Sequence, residues 1–373
     1  MKIGMVCYPT FGGSGVVATE LGKALAARGH EIHFITYNTP VRLGSFKPGI
    51  FYHEVRVSDY PLFDYPPYEL VLASKMVEVV KDQNLDLLHV HYAIPHASAA
   101  ITAKKILAEE GITLPIVTTL HGTDITLLGR DNSFGPVISY AINQSDAVTA
   151  VSNDLKIETN KLFEVNKEIE VIHNFFCPNH FKRSPDEEFR QRISPKGEPV
   201  LTHISNFRPV KRILDVVHIF NKVIQEKDCR LLLVGDGPDR SQAEKLCKDL
   251  KISHLVTFLG KVKNPIEPLA ISDVFILPSE AESFGLAALE AMAAGVPVIS
   301  TNTGGLPEVN EQGESGFLRN VGDVDGMASD LLQILETPES LNEFKAGAKK
   351  RAQNFNIEII LPQYLDLYLK LIK

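Results

Sequence analysis

The sequence predicts an α/β protein of two doubly wound parallel-sheet domains, and three observations carry that prediction. Short β-branched runs alternate with longer amphipathic stretches, the rhythm of βαβ units. The rhythm stops in a polar, proline-rich stretch at 174–199 and then restarts. The chain has 373 residues, enough for about two domains at roughly 150 residues each.

The first half opens with a strand at 2–7 (KIGMVC), a helix pattern at 14–28 and a strand at 32–37. Further strands are read at 52–57, 85–91 (LDLLHVH), 115–120 (PIVTTL), 146–151 (DAVTAV) and 169–173 (IEVIH), with helices at 69–83, 96–110 and 153–163. Runs this continuously apolar mark strands covered on both faces, hence a parallel sheet. Pro178, Ser184-Pro185, Pro195-Lys196-Gly197 and Pro199 punctuate the boundary. The second half resumes with strands at 200–205, 230–234, 255–259, 273–277 and 297–300. A last helix pattern at 357–372, with Tyr364, Leu367, Tyr368 and Leu371 among its apolar residues, fits either domain; we assign it to the first. The expected domains are therefore 1–174 plus about 357–373, and 175–356. Ligands of such sheets bind at the carboxyl ends of the strands, so a cleft between two facing domains is the expected active site.

Composition narrows the function. Lys plus Arg number 38 and Asp plus Glu 46, a net charge of −8 shared between the halves, which argues against nonspecific nucleic-acid binding. No apolar run approaches the roughly 18 residues of a membrane span, and the apolar opening is too short for a signal peptide. A cytoplasmic location is expected. Cys7, Cys177, Cys229 and Cys247 lie far apart without a C-x-x-C, so buried free thiols are expected rather than disulfides or a zinc site.

Five segments have the make-up of chemistry. Gly12-Gly13-Ser14-Gly15 follows the first strand and opens a helix, where backbone N–H groups and the helix dipole suit a phosphate or carboxylate; a plain tight turn is the competing reading. Its spacing is not G-x-G-x-x-G, and Thr36-Tyr37-Asn38 ends strand two without an acid, which weakens a nicotinamide reading. Gly235-Asp236-Gly237-Pro238 offers a second glycine turn, for a diphosphate or merely for a connection.

Glu282-Ser283-Phe284-Gly285 leads into Leu286-Ala287-Ala288-Leu289-Glu290. In one continuous helix the two carboxylates would be about 12 Å apart along the axis, beyond the roughly 5–9.5 Å of a glycosidase pair. The better arrangement places Glu282 in the preceding loop and Glu290 two turns inside the helix, each on a different hydroxyl of one long ligand. Asn206-Phe207-Arg208-Pro209-Val210-Lys211-Arg212 gathers three cations at a strand end, suited to a diphosphate leaving group without a metal or simply to solvent. His89, His91 and His96, with Tyr92 and the later His121-Gly122-Thr123-Asp124, form the last group. Alternation sends His89 and His91 to one face; packing is expected for His89 and ligand contact for His121, and no nearby carboxylate or cysteine cluster supports a metal. Asp323-Val324-Asp325 is better explained as a helix N-cap than as a metal-binding D-x-D.

Together these segments resemble the retaining glycosyltransferases of family 4, whose GT-B fold is two facing Rossmann-like domains. A narrower resemblance lies in the runs CYPTFGGSG, HEIHFIT, YPPYEL, HVHYAIPHA, TTLHGTDIT, SNFRPVKR and ESFGL. These are similar to the family that moves N-acetylglucosamine from its UDP derivative to L-malate in bacillithiol biosynthesis, with retention and with neither metal nor cofactor. The resemblance implies that Lys211, His121 and Glu282 are catalytic. It implies donor contacts from Gly13, Asn206, Arg208, Lys211 and Gly235, with Glu290 on the ribose and Glu282, Ser283, Phe284 and Gly285 on the sugar. Acceptor contacts would come from Ser14, Tyr92, Thr119, Arg130 and Asn153. Where many relatives carry Arg five residues before the lysine, this chain has Asn206, and Arg208 is the nearby cation. The implied mechanism is front-face attack without a protein nucleophile, so the protein supplies positioning and charge stabilisation. A UDP-sugar epimerase of the same fold and a nucleotide-sugar-binding protein without turnover are the rival readings. Self-association is left open.

Overall fold

The computed structural model describes residues 1–372 except 11, 45–46, 58–64, 128–130, 132 and 183–185. Seven strands form the first sheet: β1 (Lys2–Val6), β2 (Glu31–Thr36), β3 (Ile50–Glu54), β4 (Leu87–His91), β5 (Ile116–Leu120), β6 (Ala147–Ala150) and β7 (Ile169–Val171). Their order is β3-β2-β1-β4-β5-β6-β7, with every pairing parallel. The second sheet comprises β8 (Val200–Ser205), β9 (Arg230–Gly235), β10 (Val256–Gly260), β11 (Val274–Leu277), β12 (Val298–Thr301) and β13 (Gly316–Arg319). Its order, β10-β9-β8-β11-β12-β13, is again all parallel.

Two compact units result, Met1–Asn174 with Ile357–Lys373, and Phe175–Asn356. The central strands β4 and β5 are buried at every residue, as strands with helices on both faces must be. In the second unit, Val216 and Phe220 of helix Ile213–Val223 pack with Leu231 and Leu233 of β9 and with Leu331 and Ile334 of helix Val324–Ile334. Helix starts follow their caps: Ser152 Oγ accepts the Leu155 N–H at 3.0 Å, and Asp323 Oδ1 accepts that of Gly326 at 2.9 Å. Asp323 is therefore an N-cap, and Asp325 pairs on the surface with Lys222 at 2.7 Å.

Several boundaries differ from the sequence expectation. The strand expected at 52–57 runs over Ile50–Glu54; it is an edge strand whose Phe51 and Tyr52 are exposed, so its apolar pattern misplaces it. The helix expected from residue 96 starts at Ser98, after a wide turn over Ala93–Ala97. Strand β13 and helix Gly135–Gln144 were unanticipated: one is four residues long, and the other opens on Gly135-Pro136, which reads as a loop although proline suits a first helical turn. Three cysteines are buried thiols, but Cys177 is only half-buried. Ser184 and Pro185 lie outside the described residues.

Candidate functional site

In each sheet the strand order reverses once, between β1 and β4 and between β8 and β11. Loops leaving two neighbouring strands in opposite directions open a crevice at such a switch point. Four of the segments singled out in the sequence leave these strands: 8–15 after β1, 92–97 after β4, 206–212 after β8 and 278–285 after β11; 235–238 leaves the neighbouring β9 and 121–124 the neighbouring β5.

In the second unit the loop after β8 is pinned from beneath. Gly235 has φ +123°, and a Cβ there would stand 1.8 Å from the Ser205 carbonyl oxygen; the glycine turn thus lets two backbones touch. Phe207 holds φ +41° with its ring fully buried, which leaves Asn206 and Arg208 exposed on either side. Glu280 N–H donates to the Val210 carbonyl at 2.8 Å, tying the turn before Lys211 to the loop after β11.

That tie brings Lys211 Nζ to 2.6 Å from Glu282 Oε1. Ser279 Oγ donates to the same oxygen at 2.8 Å, and Thr301 Oγ1 holds the Ser279 carbonyl at 2.6 Å. The Glu282 main chain is fixed too, its carbonyl accepting the Gly305 N–H at 2.8 Å. Arg212 pairs with Asp215 at 2.7 Å, whereas no described carboxylate pairs with Arg208. Phe284 is buried edge-on against Phe355, 5.6 Å between ring centres, so at Phe284-Gly285 it is the backbone that remains for a ligand. Glu290 is 9% exposed and sits in helix Leu286–Ala293. It stands one turn inside that helix, not the two expected, because the helix begins only after the left-handed Gly285.

The first unit gathers Ser14, Tyr92 and His121. Helix Gly13–Ala27 starts without a side-chain cap, and Tyr92 OH donates to Ser14 Oγ at 2.8 Å. Tyr92 has φ +92°, a conformation costly for a bulky residue unless its surroundings over-determine it. They do: its N–H donates to the Thr119 carbonyl at 2.9 Å. The next N–H, of Ala93, donates to Asp124 Oδ2 at 2.8 Å. Asp124 Oδ1 also receives the Gly122 N–H at 3.1 Å, so one buried carboxyl joins the loops after β4 and β5. Burial raises its pKa to about 6 against the pull of these N–H groups.

His89 and His91 stack at 4.5 Å, on one face as alternation required. His91 Nδ1 lies 2.8 Å from His121 Nε2. His89 bridges Tyr368 OH at 2.6 Å and Thr119 Oγ1 at 2.7 Å, which packs the C-terminal helix Ile357–Leu371 into this unit. Burial lowers the pKa of His89 and His121 to about 3 and holds that of His91 well below the ordinary imidazole value; the rings are neutral at pH 7. Among the described residues no group of three or more His, Cys, Asp or Glu is placed to hold a metal.

Thr119 departs from the expected role. It is 0% exposed, and its hydroxyl is committed to His89 and to Thr149 Oγ1 at 2.7 Å; it contributes the carbonyl that fixes Tyr92. Asn153 is exposed at the start of helix Asn153–Leu162. Arg130 lies outside the described residues. Gly13 belongs to the first unit and the remaining donor candidates to the second. Sequence reasoning gave no role to Asp124 or Ser279. The signals available were an acid three residues after His121 and a serine three residues before Glu282.

The chain belongs to the family 4 glycosyltransferases, and its two parallel-sheet units have the GT-B fold. The profile described as "Glycosyltransferase Family 4" matches residues 11–180, and that described as "Glycosyl transferases group 1" matches 184–351. Among curated relatives, the N-acetyl-alpha-D-glucosaminyl L-malate synthase of Bacillus anthracis is 50% identical over 99% of this chain and 96% of its own length. The 2-deoxystreptamine N-acetyl-D-glucosaminyltransferase of Niallia circulans is 24% identical over 96% and 97%. Two solved structures share the fold. Sucrose-phosphate synthase of Thermosynechococcus elongatus has a TM-score of 0.80 at 23% identity, over 100% and 99% of the two chains. Anabaena HepE, in complex with UDP-glucose, has a TM-score of 0.81 at 22% identity, over 99% and 100%. No helix among the described residues is long and apolar enough to cross a membrane.

Proposed function

We propose that the protein transfers N-acetylglucosamine from UDP-N-acetylglucosamine to L-malate with retention, giving N-acetyl-α-D-glucosaminyl L-malate, the first step of bacillithiol biosynthesis. The observation that carries this reading is half-identity, over essentially the whole of both chains, with an enzyme of that name. The sites at the two switch points support it chemically.

In this reading Lys211 leaves Glu282 for the diphosphate, aided by Arg208 and the Asn206 and Gly235 loops. Glu282 and the backbone of Ser283, Phe284 and Gly285 take the sugar hydroxyls, while Glu290 holds the ribose. Malate lies at the open start of helix Gly13–Ala27, where Gly13, Ser14 and Gly15 offer N–H groups to a carboxylate, beside Tyr92; the family resemblance adds Arg130 and Asn153 as further acceptor candidates. Its hydroxyl oxygen attacks the anomeric carbon on the face that UDP leaves. The carbon–oxygen bond to the β-phosphate breaks with its electron pair on the phosphate oxygen, which takes the hydroxyl proton. No side chain forms a covalent intermediate, so the protein acts through positioning and preorganised charge. Because Lys211 and Arg208 supply the countercharge, the reaction needs no metal or other cofactor and survives a strong chelator. The reading places it in the cytoplasm, with nucleotide sugar and malate as partners.

Product NMR from UDP-N-acetylglucosamine and L-malate tests the proposal, with glycerol and inositol phosphate as competing acceptors. An α-linked malate glycoside is expected. A β-linked product, or a clear preference for either competitor, contradicts it.

A further inference from the structure

Hydrogen positions along the histidine chain of the first unit follow from what each partner is able to donate. A thioether sulfur carries no proton and can only accept. Met5 Sδ lies 3.2 Å from His91 Nε2, so that nitrogen bears the hydrogen; otherwise two lone pairs would face each other. In a neutral imidazole the second nitrogen is then an acceptor. His91 Nδ1 therefore receives the hydrogen bond that spans 2.8 Å to His121 Nε2, and His121 carries its single proton on Nε2. Its Nδ1 is left with a lone pair. No described residue pairs with that atom, and His121 keeps partial exposure while His89, His91 and His96 are 0% exposed.

Neighbouring rings close off the alternatives. His96 Nδ1 donates its N–H to the His91 carbonyl, which only accepts, so the neutral His96 ring has no second N–H to send to the His91 ring nitrogens. His89 stacks on His91, but its own nitrogens are taken by Tyr368 and Thr119. Met5 is thus the only described side chain besides His121 in hydrogen-bond contact with the His91 ring nitrogens.

We propose that Met5 is a positioning residue that fixes the tautomer of His121 through His91, so that His121 meets the bound sugar as a hydrogen-bond acceptor. The second half rests on the reading that His121 touches the donor sugar. A lone pair there selects a substituent with a proton to give. It favours a free hydroxyl and repels a carboxylate at the same position, which disfavours uronic-acid donors. The opposite tautomer would present N–H and reverse that preference.

The test has two arms on the full-length protein. Long-range proton–nitrogen correlation spectra of nitrogen-15 histidine-labelled protein separate protonated from unprotonated ring nitrogens, with His121 assigned by the peaks lost in His121→Gln. Wild type is expected to show His121 protonated at Nε2 alone. Met5→Leu conserves volume closely but removes the acceptor, and is expected to mix the two tautomers of His91 and His121. A wild-type His121 protonated at Nδ1, or unchanged tautomer populations in Met5→Leu, overturns the role of Met5.

The second arm measures, by calorimetry without acceptor, binding of UDP-N-acetylglucosamine analogues in which each free sugar hydroxyl is replaced in turn by fluorine, which does not donate. Apart from any hydroxyl that donates to Glu282, one position is expected to weaken by about 3- to 10-fold, the loss of a single neutral hydrogen bond. That loss is expected to shrink in Met5→Leu. Absence of any position whose loss shrinks in Met5→Leu, with the tautomers as expected, overturns the sugar contact and so the reading beneath it, while leaving the role of Met5 standing.

Discussion

Acidification should loosen the first unit far more than the second. His33, His89, His91 and His96 are each at most 1% exposed in the first unit, and His121 is half-buried beside them; among the described residues the second has one comparable residue, His203. Burial lowers the pKa of His33, His96 and His203 to about 4, that of His89 and His121 to about 3, and that of His91 well below the ordinary value. Unfolded, each returns to roughly 6.5. The unfolded chain then binds protons that the native chain refuses, so stability is full above pH 6.5 and falls as the pH drops below it.

Moving from pH 7.5 to 5.5 costs about 1.3 kcal/mol per histidine, hence roughly 6.5 kcal/mol for the five of the first unit and about 1.3 in the second. Asp124 works in the opposite sense. Its native pKa of about 6 lies above the ordinary carboxylate value, so the native state takes up a proton first, offsetting about 0.8 kcal/mol at pH 5.5. Glu198 and Asp273, the lowered carboxyls of the second unit, lose their contribution only at more acid pH. Hydrogen exchange, corrected for intrinsic rates and resolved by peptide, should show the opening free energy of β4 and β5 falling by about 6 kcal/mol. That of β8 and β9 should fall by about a quarter as much. Equal losses in the two units would refute the claim that these imidazoles are neutral in the native protein.

Two substitutions probe the loops themselves. Gly304 has φ +57°, and a Cβ there would lie 2.0 Å from the Glu282 carbonyl oxygen; Gly304→Ala should cost at least about 2 kcal/mol in urea unfolding and lower turnover by shifting Glu282, and wild-type values for both would show that this contact does not constrain the loop. Asp124→Asn turns one oxygen into a donor facing a backbone N–H; it should cost about 1–3 kcal/mol and raise the acceptor KM more than it lowers kcat, since Ala93 follows Tyr92, and a variant with an unaltered acceptor KM would contradict the link between the two loops.

The sheets were legible because buried parallel strands need unbroken apolar runs, and KIGMVC, LDLLHVH, PIVTTL and VLTHIS supply them. Where burial is partial the signal fails, as at exposed β3 and four-residue β13. The site was legible as residue types at loop ends but not as partners. Lys211 and Glu282 meet across 71 positions of sequence, a pairing that depends on which strands flank the switch point. Thr118 and Thr119 show the same limit at closest range: alternation sends one to Ser145 and the other to His89, and nothing in T-T says which face holds the ligand. Met5 reads as an ordinary apolar strand residue; only its 3.2 Å distance to His91 Nε2 gives the sulfur a role.

The three cations after β8 should divide their work according to what each must give up. Lys211 begins in an ion pair with Glu282, supported by Ser279, and binding a diphosphate trades one charged partner for another. Its net contribution to ground-state affinity is therefore small, whereas the charge developing on the departing phosphate has no counterpart in the exchange; loss of such a preorganised contact typically costs about 10²–10³ in rate. Arg212 is held by Asp215 and contributes little. Arg208 has no described carboxylate to relinquish, so its attraction for the diphosphate goes into binding. A charged hydrogen bond is worth about 1.5–3 kcal/mol, reduced by solvent screening because Arg208 is exposed. Arg208→Ala should accordingly weaken UDP by about 5- to 30-fold with a modest loss of kcat, and Lys211→Ala should show the converse. Titration of UDP alone, set beside kcat for both variants, decides between this division and a shared clamp. If Lys211→Ala weakens UDP more than Arg208→Ala does, the ion pair with Glu282 is not holding the lysine back, and the cation beside Asn206 has not taken over the binding role.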